Sequence, residues 1–164
     1  MMRIIAHRGL LDGPDPTKEN YPDQIRHAIK EGYDAEIDLR VIDDECWLGH
    51  DEPQYKVSLD WLKRHDMHLW IHCKNLEALE FCFDHPTLNY FAHDCDDYVV
   101  TSKGYVWAYP GKPGGKYTIL VMPEYKGKLE SIIEDYNNDS IRIYGVCTDF
   151  AAKVRHETKR NTSW

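Results

Sequence analysis

No apolar run in this chain approaches the roughly 20 residues needed to span a bilayer. No low-complexity segment, internal repeat or interdomain linker interrupts its 164 residues. The five cysteines, Cys46, Cys73, Cys82, Cys95 and Cys147, are odd in number and form no C-x-x-C pair. That argues against a disulfide framework or a cysteine zinc site and leaves most of them as small core residues. Positive charge is scarce as well: 20 Lys and Arg stand against 28 Asp and Glu, a formal charge of −8. A broad basic surface for nucleic acid is therefore not expected, although a local cluster can still bind one phosphate. The opening "MMRIIAHRG" has no apolar stretch of signal-peptide length. These absences lead to the expectation of a soluble, cytoplasmic protein without a transmembrane segment.

What is present is ordinary globular composition, 42% apolar and 29% charged, over a length that suits one domain, 1–164. Apolar or alternating runs at "RIIAH", "AEIDLRV", "HLWIHCK", "NYFAHD", "YVVTS", "YVWAY", "YTILVM" and "IYGVCTD" predict up to eight short strands. Helical periodicity marks "PDQIRHAIKEGY", "SLDWLKRH", "NLEALEFCFDH", "KGKLESIIEDYN" and "FAAKVRHETKR", with Ser58 and Asn75 placed as N-caps. Strands alternating with helices predict an α/β fold with a parallel sheet. Between residues 89 and 117 the connections are too short for helices. The expectation is a small (β/α)8 TIM-type barrel lacking several helices there, with an open or incomplete barrel as the alternative.

Four polar constellations fall at the C-terminal ends of these strands, where α/β sites form: "HRG" at 7–9, "EID" at 36–38, "GHD" at 49–51 and "HCK" at 72–74. Side chains alternate along a strand, so Glu36, Asp38 and Arg40 share one face while Ala35, Ile37 and Leu39 share the other. "HLWIHCK" repeats this, with Trp70, His72 and Lys74 on one side and Leu69, Ile71 and Cys73 on the other. Either the charged side meets water, or it lines a polar cavity.

In order and spacing, "IIAHRG", "KEN", a helix ending in glycine, "AEIDLRV" and "GHD" resemble the glycerophosphodiester phosphodiesterase family of phospholipase C-like phosphodiesterases. The match covers residues 4–51 as a set, continues more weakly through "HCK", and ends in "GVCTDFA"; residues 89–140 show little that matches. The resemblance implies that His7 and His50 act as general acid and base, and that Arg8 and Lys74 bind phosphate. It further implies that Glu36 and Asp38 ligate one divalent cation, Mg²⁺ or Ca²⁺. The substrate would be a small phosphodiester, attacked by a hydroxyl of its own alcohol, in a setting of lipid metabolism.

The chain departs from the family pattern in three places. His72 stands where the family has a third carboxylate; as a ligand it would shift preference toward Mn²⁺ or Zn²⁺. Tyr21 replaces a threonine. Asp51 runs within seven residues to Ser58, so the substrate-covering insertion of many members is missing. Trp107 and Glu124 are candidate pocket residues, His93 reads as a polar loop residue, and Asp149 as the cap of the last helix. "GKPGGK" lacks the leading glycine of a P-loop, Pro110 standing there, and reads as a turn with Lys112 and Lys116 in reach of a substrate's outer charge. The competing readings are a non-catalytic phosphate-ligand binding domain, an enzyme releasing a cyclic phosphate, and a zinc hydrolase using His50, His72 and His93.

Overall fold

Each predicted strand and helix has a counterpart in the computed structural model, which describes residues 2–158. In chain order the elements are β1 (Arg3–Ala6), α1 (Pro22–Lys30), β2 (Asp34–Ile42), β3 (Glu45–Leu48), β4 (Tyr55–Val57), α2 (Leu59–Arg64), β5 (Leu69–Cys73) and α3 (Leu76–Phe83). There follow β6 (Tyr90–Phe91), β7 (Tyr98–Val100), β8 (Val106–Ala108), β9 (Thr118–Val121), α4 (Leu129–Asn137), β10 (Gly145–Thr148) and α5 (Ala151–Glu157). The hairpin strands β3 and β4 add to the eight predicted runs. Residues 159 and 160 of the last predicted helix lie outside the described residues.

Local chemistry explains the helix starts. Pro22 opens α1, where its missing N–H costs nothing. Ser58 Oγ accepts from Trp61 N at 3.1 Å to begin α2, and Asn75 Oδ1 accepts from Ala78 N at 3.1 Å to begin α3. Asn75 also bonds the Val41 N–H and carbonyl, at 3.2 and 2.7 Å, tying the start of α3 to the end of β2.

β2 is the pivot of a ten-stranded sheet. Its first residues run parallel to β1, its middle, Ala35–Leu39, runs parallel to β5, and its end pairs antiparallel with β3. The curled array reads β6–β5–β2–β1–β10–β9–β8–β7, parallel except for β7, with β3 and β4 extending from the far end of β2. No ladder joins β6 to β7 or β8 among the described residues. The predicted closed barrel is therefore corrected to the open, incomplete form. Residues 89–117 hold three short strands and no helix, as the lack of an apolar helical stripe requires. These two- and three-residue strands offer too few backbone groups to complete a ring.

The outer face of the sheet packs under helices in two clusters, one around Ile4, Ala6 and Val146, the other around Ile37, Leu39 and Ile71. The inner face holds a separate aromatic plug of Trp70, Phe91 and Trp107 with Ile5, Ile119 and Cys147. Trp107 lies between its neighbours, 4.5 Å from the Phe91 ring and 5.9 Å from Trp70. Cys46, Cys73, Cys82 and Cys147 are buried as core residues, and Cys95 is exposed. No helix among the described residues is long and apolar enough to cross a membrane.

Candidate active site

The charged side of β2 faces inward, not toward water: Asp34, Glu36 and Asp38 are 3%, 2% and 1% exposed. A buried carboxylate must be paired or hydrogen-bonded, and the three differ in how this is met. Asp34, deepest in the curl, meets Arg3 at 3.2 Å, His68 at 3.1 Å and the Trp70 indole N–H at 3.0 Å. It is a satisfied structural acid. Glu36 and Asp38, nearer the open end, are not so fully served.

The turns around them are built to reach these acids. "HRG" leaves β1 as a single 3₁₀ turn, with Arg8 in the left-handed region at φ 52°. That strained conformation aims the Arg8 N–H at Glu36 Oε2, 3.1 Å away. Gly9 is required beside it: φ is 81°, and a Cβ there would lie 3.1 to 3.3 Å from the backbone and side chain of Ile25 on α1. "KEN" supplies Glu19, which pairs with Arg8 Nη1 at 2.9 Å, and Asn20, which is fully buried. Asn20 Nδ2 donates to Asp38 Oδ2 at 2.9 Å, while its Oδ1 accepts the Asp38 N–H at 2.9 Å. Arg8 Nε lies 3.1 Å from the same Oδ2.

The Asn20 and Arg8 contacts to the Asp38 carboxylate both fall on one oxygen. Asp38 Oδ1 is buried with no hydrogen-bond partner. Facing it at 3.3 Å is His72 Nδ1, which is also 3.9 Å from Glu36 Oε1. His72 Nε2 sits 3.2 Å from the His93 carbonyl, which can only accept, so Nε2 is the donor there and Nδ1 is the nitrogen turned toward both carboxylates. Burial raises the Asp38 carboxyl, but the neighbouring His72 ring, the Arg8 charge and the Asn20 amide outweigh it and hold Asp38 well below the usual carboxylate range. Burial and the Asp38 charge push Glu36 up. Ligand atoms of Glu36, Asp38 and His72 lie within 4.8 Å of one another, the one such group among the described residues. An orphaned carboxylate oxygen beside an imidazole nitrogen fits a cation, and the carbonyl behind His72 fixes the ring as metal sites do. The mixed N and O set suits Mn²⁺ or Zn²⁺ as well as Mg²⁺.

Above this group is a 190 Å³ cavity lined by His7, Arg8, Glu36, Asp38, His50, His72, His93, Trp107, Tyr109, Pro110, Val121 and Tyr125. His7 Nδ1 lies 2.7 Å from Asp149 Oδ1, and its Nε2 lies 3.9 Å from Glu36 Oε2. Burial lowers the His7 pKa, but the Asp149 bond and the Glu36 charge outweigh it, so the ring is shifted toward its protonated form. His50 reaches the rim from the β3–β4 turn, with Nδ1 2.8 Å from Asp51 and its carbonyl held by Arg40 Nη2 at 2.7 Å. Gly49 shapes that turn: a Cβ there would meet the Glu52 carbonyl oxygen at 1.9 Å. Lys74 Nζ approaches Asp38 Oδ1 at 3.9 Å.

His7, Arg8, Glu36, Asp38, His50, His72 and Trp107 thus line one cavity, whereas Lys74 is not among its lining residues. Two expectations are corrected. Asp149 does not cap α5, which has no side-chain cap; its carboxylate turns back to His7 instead. Glu124 does not line the cavity. Its Oε1 accepts from Thr148 Oγ1 at 2.7 Å and from the Asp149 N–H at 3.0 Å, so it braces the end of β10. His93 is the loop residue expected; it also lines the cavity, and its backbone carbonyl meets His72 Nε2. Sequence reasoning gave no role to Glu19 or Asn20, although both stand in the quoted "KEN", nor to Tyr109 and Tyr125, which carried no pattern. Comparison with family models, curated proteins and solved structures returned no match.

Proposed function

We propose that this chain is a metal-dependent phosphodiesterase acting on a glycerophosphodiester-like small molecule, on a reduced relative of the (β/α)8 barrel. The observation that carries this reading is the orphaned Asp38 Oδ1 facing His72 Nδ1, at the base of a cavity that two carboxylate-held histidines share. A divalent ion held by Glu36, Asp38 and His72 would supply neutralisation of charge on the phosphate.

The chain's own groups then divide the proton transfers. Asp149 and Asp51 can only accept, so each holds its histidine by Nδ1–H and leaves Nε2 for chemistry. His7 is half-buried and shifted toward the charged form, so its Nε2–H is the acid that protonates the leaving oxygen. His50 at the rim presents a lone pair and takes the proton of the attacking hydroxyl. Arg8, clamped by Glu19 and Asp38, and Lys74 add fixed positive charge beside the phosphate. Water then opens a cyclic phosphate with the two roles exchanged.

The test is turnover of glycerophosphodiesters and bis-p-nitrophenyl phosphate with Mg²⁺, Ca²⁺, Mn²⁺ and Zn²⁺ compared. His7→Ala and His50→Ala should each lose at least about 10²-fold. Phosphorus NMR separates a hydrolysed product from a cyclic one. Near-wild-type rates in both variants overturn the reading. Tight phosphate-ester binding without turnover under any metal would identify a binding domain instead.

A further inference from the structure

Tyr109 and Pro110, which wall one side of the catalytic cavity, also line a second and wider one of 650 Å³. This second space lies between the "YPGKPGGK" loop and the segment leading into α4. Lys112, Lys126 and Lys128 line it, with Asp97 as its one acid. Three ammonium groups therefore meet one carboxylate, on a chain whose formal charge is −8. Asp97 is already engaged, 2.7 Å from Lys112 Nζ. Lys126 and Lys128 make no ion pair among the described residues.

The loop is shaped to hold this charge in place. Gly111 has φ 90°, and the Lys126 stem lies against it, 3.1 Å from where a Cβ would stand. A side chain at 111 would push that lysine off the cavity wall. Lys116, by contrast, lies over its own neighbour Tyr117 at 4.6 Å and lines neither cavity.

We propose that the second cavity is a subsite for an anionic group on the alcohol arm of the substrate, beyond the scissile phosphate. The preferred substrate class is then a phosphodiester carrying a further phosphate or carboxylate, and a quaternary-ammonium arm is disfavoured by like charge. This rests on the phosphodiesterase reading for its substrate, but not for its binding site. Exposed ion pairs are individually weak and screened by salt, so the preference resides in the lysines together.

A matched pair of probes tests it: glycerophosphoinositol and glycerophosphoinositol 4-phosphate, titrated calorimetrically into the whole chain and into a Lys126→Gln/Lys128→Gln variant. The wild type should bind the 4-phosphate about tenfold more tightly at low salt, and the double variant should remove most of that gap. Its affinity for the unphosphorylated probe should not change. Equal binding of both probes by the wild type, or a gap that survives the double substitution, overturns the inference. Turnover of neither probe beside an intact, lysine-dependent gap would end the phosphodiesterase reading and leave the subsite standing. Sedimentation with vesicles containing phosphatidylinositol 4-phosphate separates two sources of the anion. Lysine-dependent pelleting assigns it to a lipid headgroup; a calorimetric gap without pelleting assigns it to a soluble diester.

Discussion

His7 Nδ1 and Asp149 Oδ1 lie 2.7 Å apart, across 142 residues of sequence, because β1 and β10 are parallel neighbours in register. Ala6 pairs with Thr148, so the next residue of each strand leaves the sheet at the same height. The carboxylate fixes the imidazole tautomer and favours its cationic form.

Asp149→Asn tests that pairing. The amide cannot hold the cation, so the pKa of His7 should fall and the limb of the rate profile that reports the acid should move to lower pH. Turnover should drop by about 10²-fold with little change in KM. An unchanged pH profile would show that Asp149 is only structural.

Asn20→Ala should be costly far beyond its size. Asp38 would lose a hydrogen bond at its carboxylate and another at its N–H, both buried. About 2–4 kcal/mol of stability should go, from two such bonds at about 1–2 kcal/mol each, and metal affinity should fall at least tenfold. Urea unfolding and metal titration read the two effects. A loss below about 0.5 kcal/mol would mean that water replaces the amide.

His72→Glu should exchange one metal preference for another. The wild type should bind Mn²⁺ or Zn²⁺ more tightly than Mg²⁺. The carboxylate variant should move toward Mg²⁺ or Ca²⁺, and His72→Ala should weaken all of them. If calorimetry finds the three proteins alike, His72 is not a ligand.

Without metal, the fold should lose stability as the pH rises. Glu36 and His7 both have folded-state pKa values above their unfolded ones. Each therefore contributes stability that is full below its unfolded pKa and is lost as pH rises through the folded one. Asp38 has the opposite sign, its contribution being lost only as pH falls through its depressed value. With chelator present, Tm should decline as pH rises from the ordinary carboxylate range to above the ordinary imidazole range. Added Mn²⁺ should reverse the trend and release a proton below the raised Glu36 pKa. A chelated protein whose Tm climbs over that range would contradict these shifts.

The fold class and the inward acids were legible because alternation is local. "AEIDLRV" and "HLWIHCK" declare their two faces whatever they pack against, and the structure places Glu36, Asp38, Trp70 and His72 inside. Closure was not legible. It depends on whether strands far apart in sequence are long enough to meet, and β6, with two residues, is not. Asp149 was misread for a related reason. A cap is a local motif, whereas its bond to His7 arises only once β1 and β10 pair. Glu19 and Asn20 were visible in the sequence but mute, since what an amide clamps is decided by a turn at positive φ, here 58°.

The gap between β6 and β7 gives the molecule a clasp in place of a weld. Ser102 is its pin: its N–H donates to the Tyr90 carbonyl at 2.8 Å, and its hydroxyl accepts from Tyr90 N at 3.0 Å and donates to the Leu88 carbonyl at 3.2 Å. Residues on either side of that pin can part without breaking a ladder, so this seam is where slow amide exchange should first give way. The strand beside it carries Phe91, stacked on the His72 ring at 5.1 Å, and leads to the His93 carbonyl that decides which nitrogen His72 presents. A breath at the clasp should therefore loosen the contact that holds His72 against Glu36 and Asp38.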